Sequence, residues 1–316
     1  MNRTLSLALL FLIPSQLHAS WHFFQIHPDP LKAEQTFFKE GRYEKVISLL
    51  GHGHVQYYRD KNLARAYFYL GQSYEYTNHL GKALGIYELG ANLFPNNLSL
   101  LSALALLLHR AGLEEEAHPL FEKILLARPK NAEAHLALAE IDAHLGSLKR
   151  SADHYQKTLA VIPENADIWR HYAELLLRLR DYEKADQAAQ KSLSLSPNPK
   201  TLMDICLIEN AQGQIDLALK NINSSSIRIA YGFKALRLKG LWLLEARRYS
   251  DAASVATTVI KENPDDPIAH WIKAQISLKA GKFIKAREEL EEVEDQREAP
   301  FAAEAAKTLL KSLPQA

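Results

Sequence analysis

Pro95, Pro129, Pro163 and Pro197 fall 34 residues apart, and the residues between them repeat as well. A fixed period of that length predicts a stack of small helical units, each covering its neighbour's apolar face, in place of one globular core. From Ala64 to Asn97 the first helix of a unit carries Tyr67, Leu70, Gly71 and Tyr74 on one face, with Gly71 admitting a close second helix. Asn78-His79-Leu80-Gly81 is the turn. Ala83, Tyr87 and Gly90 follow on the second helix before Pro95 stops it, and Asn96-Asn97 are placed to cap the next one. Two helices of about 12 residues are marginal in water until a neighbour shields them, so the units are expected to stand or fall together.

The next unit, 98–131, keeps Leu101, Leu104, Ala105, Leu108, Gly112, Ala117, Phe121, Ile124 and Pro129. In 132–165, Leu138, Ala139, Gly146, Tyr155 and Pro163 remain, while His135 and Asp142 replace bulkier apolar residues and Ser151 replaces Ala. Trp169, Tyr172, Ala173, Leu176, Tyr182, Ala185 and Pro197 carry 166–199. The segment 200–232 is degenerate. Met203, Cys206 and Leu207 are expected to face inward there, Gly213 marks the turn, and Asn221 to Ser226 interrupts the pattern where a proline is expected. Pro197 and Pro264 are 67 residues apart, so this unit has lost one residue, and a local change of pitch is expected rather than a break. Register returns in 233–266 through Leu236, Gly240, Leu243, Tyr249, Ala252 and Val259, and in 267–298 through Trp271, Ala274, Gly281, Ala286 and Leu290. Residues 299–316 form an amphipathic capping helix and tail. At the other end 31–63 holds a cruder helix pair around Gly41, then a connector broken by Gly51-His52-Gly53-His54.

Before these units, Arg3 is followed by an apolar run from Leu5 to Ile13 and a small-residue junction at Ala19-Ser20. This reads as a cleaved signal peptide, 1–19, with a mature arm at 20–30. The run rises only about 14 Å as a helix against roughly 30 Å of hydrocarbon, too short for an ordinary span. Two alternatives stay open: a buried first helix of the stack, and an uncleaved, tilted anchor. No cysteine stands at the junction, so lipid anchoring is not expected. No later stretch approaches the length of a span, and a soluble protein of the periplasm or the exterior is expected. Its only cysteine, Cys206, excludes an intramolecular disulfide. Loss of Arg3 leaves basic and acidic residues equal in number. With no basic stripe, nucleic acid is not an expected partner. Asn97-Leu98-Ser99 and Asn223-Ser224-Ser225 are glycosylation sequons only in a eukaryotic host; the short leader and single thiol point to a bacterial one.

At Tyr67, Leu70, Gly71, Tyr74, Ala83, Tyr87 and Pro95, and again at Trp169, Tyr172, Ala173, Ala185 and Pro197, the chain resembles the tetratricopeptide repeat family over about residues 31–298. The resemblance implies an all-α fold: a right-handed α-solenoid of antiparallel helix pairs whose concave groove, lined by first helices, holds peptides or partner helices. It is specific for fold and weak for function, because its defining residues are packing residues. Members that clamp a C-terminal carboxylate do so with Lys and Asn on successive inner helices. Here those places hold Phe68 and Gln72, then Ser102 and Leu106, so that mode is not expected. Another branch of the family carries sugar-transfer or hydrolase domains, and no such activity is expected of these repeats.

Helical register assigns to the inner wall Phe68, Gln72, Glu75 and Tyr76; Leu106, His109 and Arg110; Leu136, Glu140 and His144; Arg170, Glu174 and Arg178; then Arg237, Leu241, Trp271 and Gln275. Aromatic anchors with both charge signs suit an extended peptide or helix from a multiprotein complex, Arg170 and Arg178 serving acidic groups. An ordinary solvated face is the plain alternative. A glycan module, with Tyr76 and Trp271 stacking on sugars, is another. Trp271 follows His270, which occupies the usual packing slot, so the indole is either buried by a register shift or projects into the groove. No cofactor or catalytic site is expected, because a nucleophile elbow, a phosphate loop and a His-Glu zinc helix are all missing. His22, His27, His52 and His54 lack a completing cysteine or carboxylate at metal-ligand spacing, and a polar loop is the competing reading. His109, His144 and His171 would make binding sensitive to pH if they cluster. Acids such as Glu114-Glu115-Glu116 and Glu291-Glu292 read as capping and solvation charges. Oligomeric state is not legible.

Overall fold

A computed structural model describes residues 31–51, 58–297 and 299–313. The expected signal peptide and arm, and His22, His27, His52 and His54, lie outside the described residues. Among those described the fold is all-α, a stack of helix pairs divided into two compact units, one ending at Gly146 and the other beginning at Ser147.

The first unit contains α1 (Lys32–Lys39), α2 (Tyr43–Leu50), α3 (Asp60–Tyr76), α4 (Leu80–Leu93), α5 (Leu98–Arg110), α6 (Glu114–Ala127) and α7 (Ala132–His144). Each helix packs on the next, and α1, α3, α5 and α7 also pack in succession on one another. Tyr67, Leu70, Tyr87, Leu101, Leu104, Phe121, Ile124 and Leu138 are buried in one continuous core.

The second unit contains α8 (Leu148–Val161), α9 (Ala166–Arg178), α10 (Tyr182–Leu195), α11 (Pro199–Ala211), α12 (Ile215–Asn221), α13 (Ser225–Tyr231), α14 (Phe233–Glu245), α15 (Tyr249–Glu262), α16 (Pro267–Lys279), α17 (Phe283–Glu294) and α18 (Pro300–Ser312). It packs by the same rule, α9 on α11 and α14 on α16. The closing helix, α18, lies on α16 and α17 and buries Ala303 and Ala306, as a cap should.

Three local devices repeat. Asn97, Asn131, Asn165 and Asp266 each accept a hydrogen bond from a backbone N–H three residues on, and so start α5, α7, α9 and α16. A ring nitrogen then reaches back to the proline that ended the preceding helix. Trp169 Nε1 donates to the Pro163 carbonyl at 2.7 Å, and the same position holds His135 Nε2 at 3.0 Å from the Pro129 oxygen and His270 Nε2 at 2.6 Å from that of Pro264. A carbonyl can only accept, so each imidazole carries its proton on Nε2. His135 is thus no defect in the repeat; it supplies the donor that Trp169 supplies one unit later.

The third device is a left-handed residue shortly after a first helix: Asn78, Gly112, Gly146, Arg180, Gly213, Arg247 and Gly281, with φ between 58° and 80°. Two arginines there bear a Cβ penalty that glycine avoids.

In the degenerate unit α11 starts at Pro199 behind its cap Asn198, so the missing residue is missing from the turn after Pro197 and the helix is intact. Met203 and Cys206 are buried and Leu207 half-buried. Its second helix is broken into α12 and α13, restarted by a hydrogen bond from the Ile227 N–H to Ser224 Oγ, and Gly232 at φ 47° takes the place of the proline turn. These pieces still pack on α11 and α14.

A Cβ on Gly71 would stand 2.3 Å from Cε1 of Tyr87, whose ring is fully buried and anchored by its hydroxyl to Glu75. Gly71→Ala is therefore expected to lower stability in urea by about 1–3 kcal/mol, whereas Gly85→Ala, in open helical space, should raise it by about 0.5–1 kcal/mol. Equal midpoints for the two variants would contradict this packing. In the opposite sense, Arg180→Gly should stabilise by about 1 kcal/mol, read as a raised urea midpoint; a lowered one would mean the arginine side chain outweighs its strained backbone.

Candidate partner-binding face

The expected wall residues do fall on first helices. In the first unit Phe68, Gln72 and Tyr76 lie on α3, Leu106, His109 and Arg110 on α5, and Glu140 and His144 on α7. Tyr76, Arg110 and His144 share one repeat position and are exposed, Tyr76 by 61%. Phe68, Gln72, Leu106, His109 and Glu140 are half-buried.

Charged side chains tie neighbouring helices together. Glu75 accepts from the Tyr87 hydroxyl at 2.5 Å and pairs through its other oxygen with Arg110, joining α3, α4 and α5. Burial first, and the Glu75 hydrogen bond second, push the Tyr87 pKa up, so the phenol stays a donor. His109 Nε2 lies 3.0 Å from Glu140 Oε2, and His144 Nδ1 lies 2.5 Å from Glu114 Oε1. Glu114, read in the sequence as a capping charge, is thus also a histidine partner. His118 stands 3.5 Å from buried Asp142, which accounts for an acid at that core position. His109, His144 and His171, the three histidines that would confer pH sensitivity if they clustered, each have their own polar neighbour, His171 that of Arg170.

The sequence missed an aromatic patch beside Tyr76. Tyr43 stacks on the Tyr76 ring at 4.4 Å between centroids and 10° between planes, and Phe38 meets Tyr76, Tyr43 and Tyr69 at 5.9, 5.4 and 5.3 Å. Its only signal was the aromatic content of α1 and α2, the pair in which the repeat pattern is crudest.

In the second unit Arg170, Glu174 and Arg178 lie on α9, Arg237 on α14, and Trp271 and Gln275 on α16. Arg178 is exposed and Gln275 half-buried. The Arg170 side chain is 11% exposed; it pairs with Glu174 and stands 3.8 Å from Asp204 of α11. Arg237 donates through Nε to Asp266 at 2.7 Å, the fully buried carboxylate that caps α16. Both arginines hold first helices to one another, which leaves Arg178 as the member of the expected acid-binding pair that faces solvent.

Trp271 resolves between its two alternatives. His270 stays in the packing slot, its Nδ1 2.6 Å from Glu289, whose hydrogen bond raises the imidazole pKa. The indole is half-buried against the cluster of Ala274, Leu290, Val293 and Ala306. Cys206 is a buried thiol, pushed up to about 12 chiefly by desolvation. Among the described residues no group of three or more His, Cys, Asp or Glu side chains is placed to hold a metal, and no helix is long and apolar enough to cross a membrane.

Paired helices of repeating register, carrying varied polar and aromatic side chains on their first members, define a repeat-built interaction module. A family model described as tetratricopeptide repeat matches residues 102–161, 153–198 and 238–303, together more than half of the chain. The chain belongs to the tetratricopeptide repeat family and is a protein–protein interaction module. Among solved structures it is similar to a tetratricopeptide repeat protein from Parabacteroides merdae ATCC 43184, at 17% identity and TM-score 0.59, over 78% of this chain and 97% of that one. A MamA protein matches at 20% identity and TM-score 0.49, over 54% of this chain and 95% of that one. A MamA fragment from Desulfovibrio magneticus RS-1 matches at 19% and 0.47, over 52% and 90%. At 17% identity the likeness to the Parabacteroides merdae protein is one of fold alone. No curated protein matches the chain.

Asp204 sets a pH dependence. Burial first, then the Glu174 charge, push its carboxyl up to about 7, against the pull of Arg170. With the folded pKa above the unfolded one, the native state holds the extra proton, so this group's stabilisation is full below about pH 4 and is lost as pH rises to about 7. Asp204→Asn should therefore unfold at higher urea than the wild type at pH 8 and lose the advantage at pH 4.5. Parallel stability profiles for the two proteins across that range would sink the assignment.

Proposed function

We propose that this chain is an exported scaffold that holds an extended peptide or partner helix against its first-helix faces and so organises a complex of the bacterial envelope, in secretion, polysaccharide export or outer-membrane assembly. The observation that carries the binding face is the exposure of Tyr76, Arg110, His144 and Arg178, one repeat position filled by four different side chains while the packing positions just before it are apolar except at Ser73 and Asp142. Packing fixes some positions of a repeat and leaves others to the partner, and side chains of mixed charge and aromatic surface suit a polypeptide ligand. Export rests on the Leu5–Ile13 run and the Ala19-Ser20 junction.

A glycan ligand is the second reading, favoured by the exposed Tyr76 ring on its Tyr43 stack. One experiment addresses both. The triple variant Tyr76→Ser, His144→Ser, Arg178→Ser should keep the wild-type unfolding midpoint yet lose at least tenfold in affinity for peptides captured from the host envelope fraction, about 1.4 kcal/mol or more. Titration with soluble oligosaccharides should give no heat. Retained peptide binding would refute the face, and oligosaccharide binding abolished by the triple variant would replace peptide by glycan. A mature N-terminus at Met1, read by sequencing protein from native cells, would refute cleaved export.

A further inference from the structure

The irregular unit leaves an opening that the regular units do not need. Elsewhere in the second unit a second helix such as α10 or α15 runs unbroken for 14 residues, but here α12 and α13 have seven each, separated at 222–224. Gly232 then turns the chain directly into α14, and a Cβ built on it meets nothing within 4 Å. Between α13, α14 and α15 lies a cleft of about 620 Å³. Its apolar lining includes buried Ile222, half-buried Leu236 and Phe233, which is 40% exposed at the rim.

Charge in the cleft has one sign. Arg228 and Lys239 line it, and no acidic residue does. The Lys239 ammonium meets only a neutral amide, donating to Asn223 Oδ1 at 3.0 Å, and the exposed Arg228 side chain has no ion-pair partner among the described residues. Neighbouring Arg248, by contrast, is neutralised by Asp216 and Asp251. An inorganic anion would meet the two cations and leave the apolar lining wet, while an uncharged apolar segment would cover the lining and strip water from both cations without repayment. The group that satisfies both is a large apolar side chain next to a carboxylate, and the cleft's volume suits a few residues of peptide.

We propose that this cleft is a second docking site, on the second-helix side of the degenerate repeat, for an acidic peptide segment bearing a large apolar side chain, in addition to the first-helix face.

The test uses the full mature chain, fluorescently labelled, on an array of decapeptides with one central Phe or Leu flanked by Asp and Glu, each paired with its Asn and Gln counterpart. Acidic peptides should be retained about tenfold better than their amide counterparts, as expected where charge complementarity sets the contact. Arg228→Glu with Lys239→Glu should abolish that preference. Thr258→Trp, which adds bulk at an exposed lining position, should abolish binding with the charges intact, and Lys311→Glu, an exposed charge reversal on the closing helix α18, should leave it unchanged. Circular dichroism melts matching the wild type keep each variant interpretable, and Thr258→Trp provides a second route should the charge reversal melt early. Equal retention of acidic and amide peptides, retention that survives both cleft variants, or no retained peptide at all would overturn the proposal.

Discussion

No helix pair in this chain can bury its own apolar stripe. A hairpin of 13 and 14 residues covers one side of each helix and leaves the other wet, so its free energy depends on the next pair arriving in register. Contacts between neighbouring helices, and from one first helix to the next in the regular repeats, are the consequence within each unit. The close approach at Gly71, where the Tyr87 ring occupies the space of a side chain, is the same requirement in its tightest form. The hydrogen bonds from Trp169, His135 and His270 to proline carbonyls fix the angle at which one pair enters the next. They also satisfy backbone oxygens that the end of a helix would otherwise leave unpaired.

Once packing has claimed its positions, the remaining side chains divide into two groups. Some, such as Arg170 and Arg237, turn inward to a carboxyl group on a neighbouring first helix or its cap, and in that low-dielectric setting loss of Arg237 would strand the buried Asp266. Others, such as Tyr76, Arg110, His144 and Arg178, reach solvent at a single repeat position. A solenoid can therefore alter its binding surface from unit to unit without altering its fold. The degenerate repeat extends this logic. By breaking one second helix it exchanges continuous packing for a cationic cleft with an apolar lining.

Much of the architecture was legible in the sequence. The 34-residue spacing of prolines, the capping asparagines and the glycines at the pair turns gave the order of the helix pairs from Ala64 onward, though not the split of one second helix into α12 and α13, since each of these signals acts within a few residues of the chain. The weak unit was legible as weak, but the place of its missing residue was not. Shortening the turn after Pro197 and shortening a helix leave the same proline spacing. Only the position of the Asn198 cap distinguishes them. Arg180 and Arg247 at left-handed positions were likewise hidden, because the repeat geometry imposes a conformation that their own preference opposes.

The sequence by itself determined that the chain is a series of mutually dependent helix pairs, because periodicity, capping and helix termination are local properties written along the backbone. Tertiary structure alone decided how the face is divided between structure and solvent: that Arg170 answers Asp204, that Arg237 answers Asp266, that Trp271 packs against the closing helices, and that Tyr43 lies under Tyr76. Those outcomes depend on which atoms of sequence-distant helices come within a few ångströms of one another, and helical register gives a direction for a side chain without giving what waits at its end.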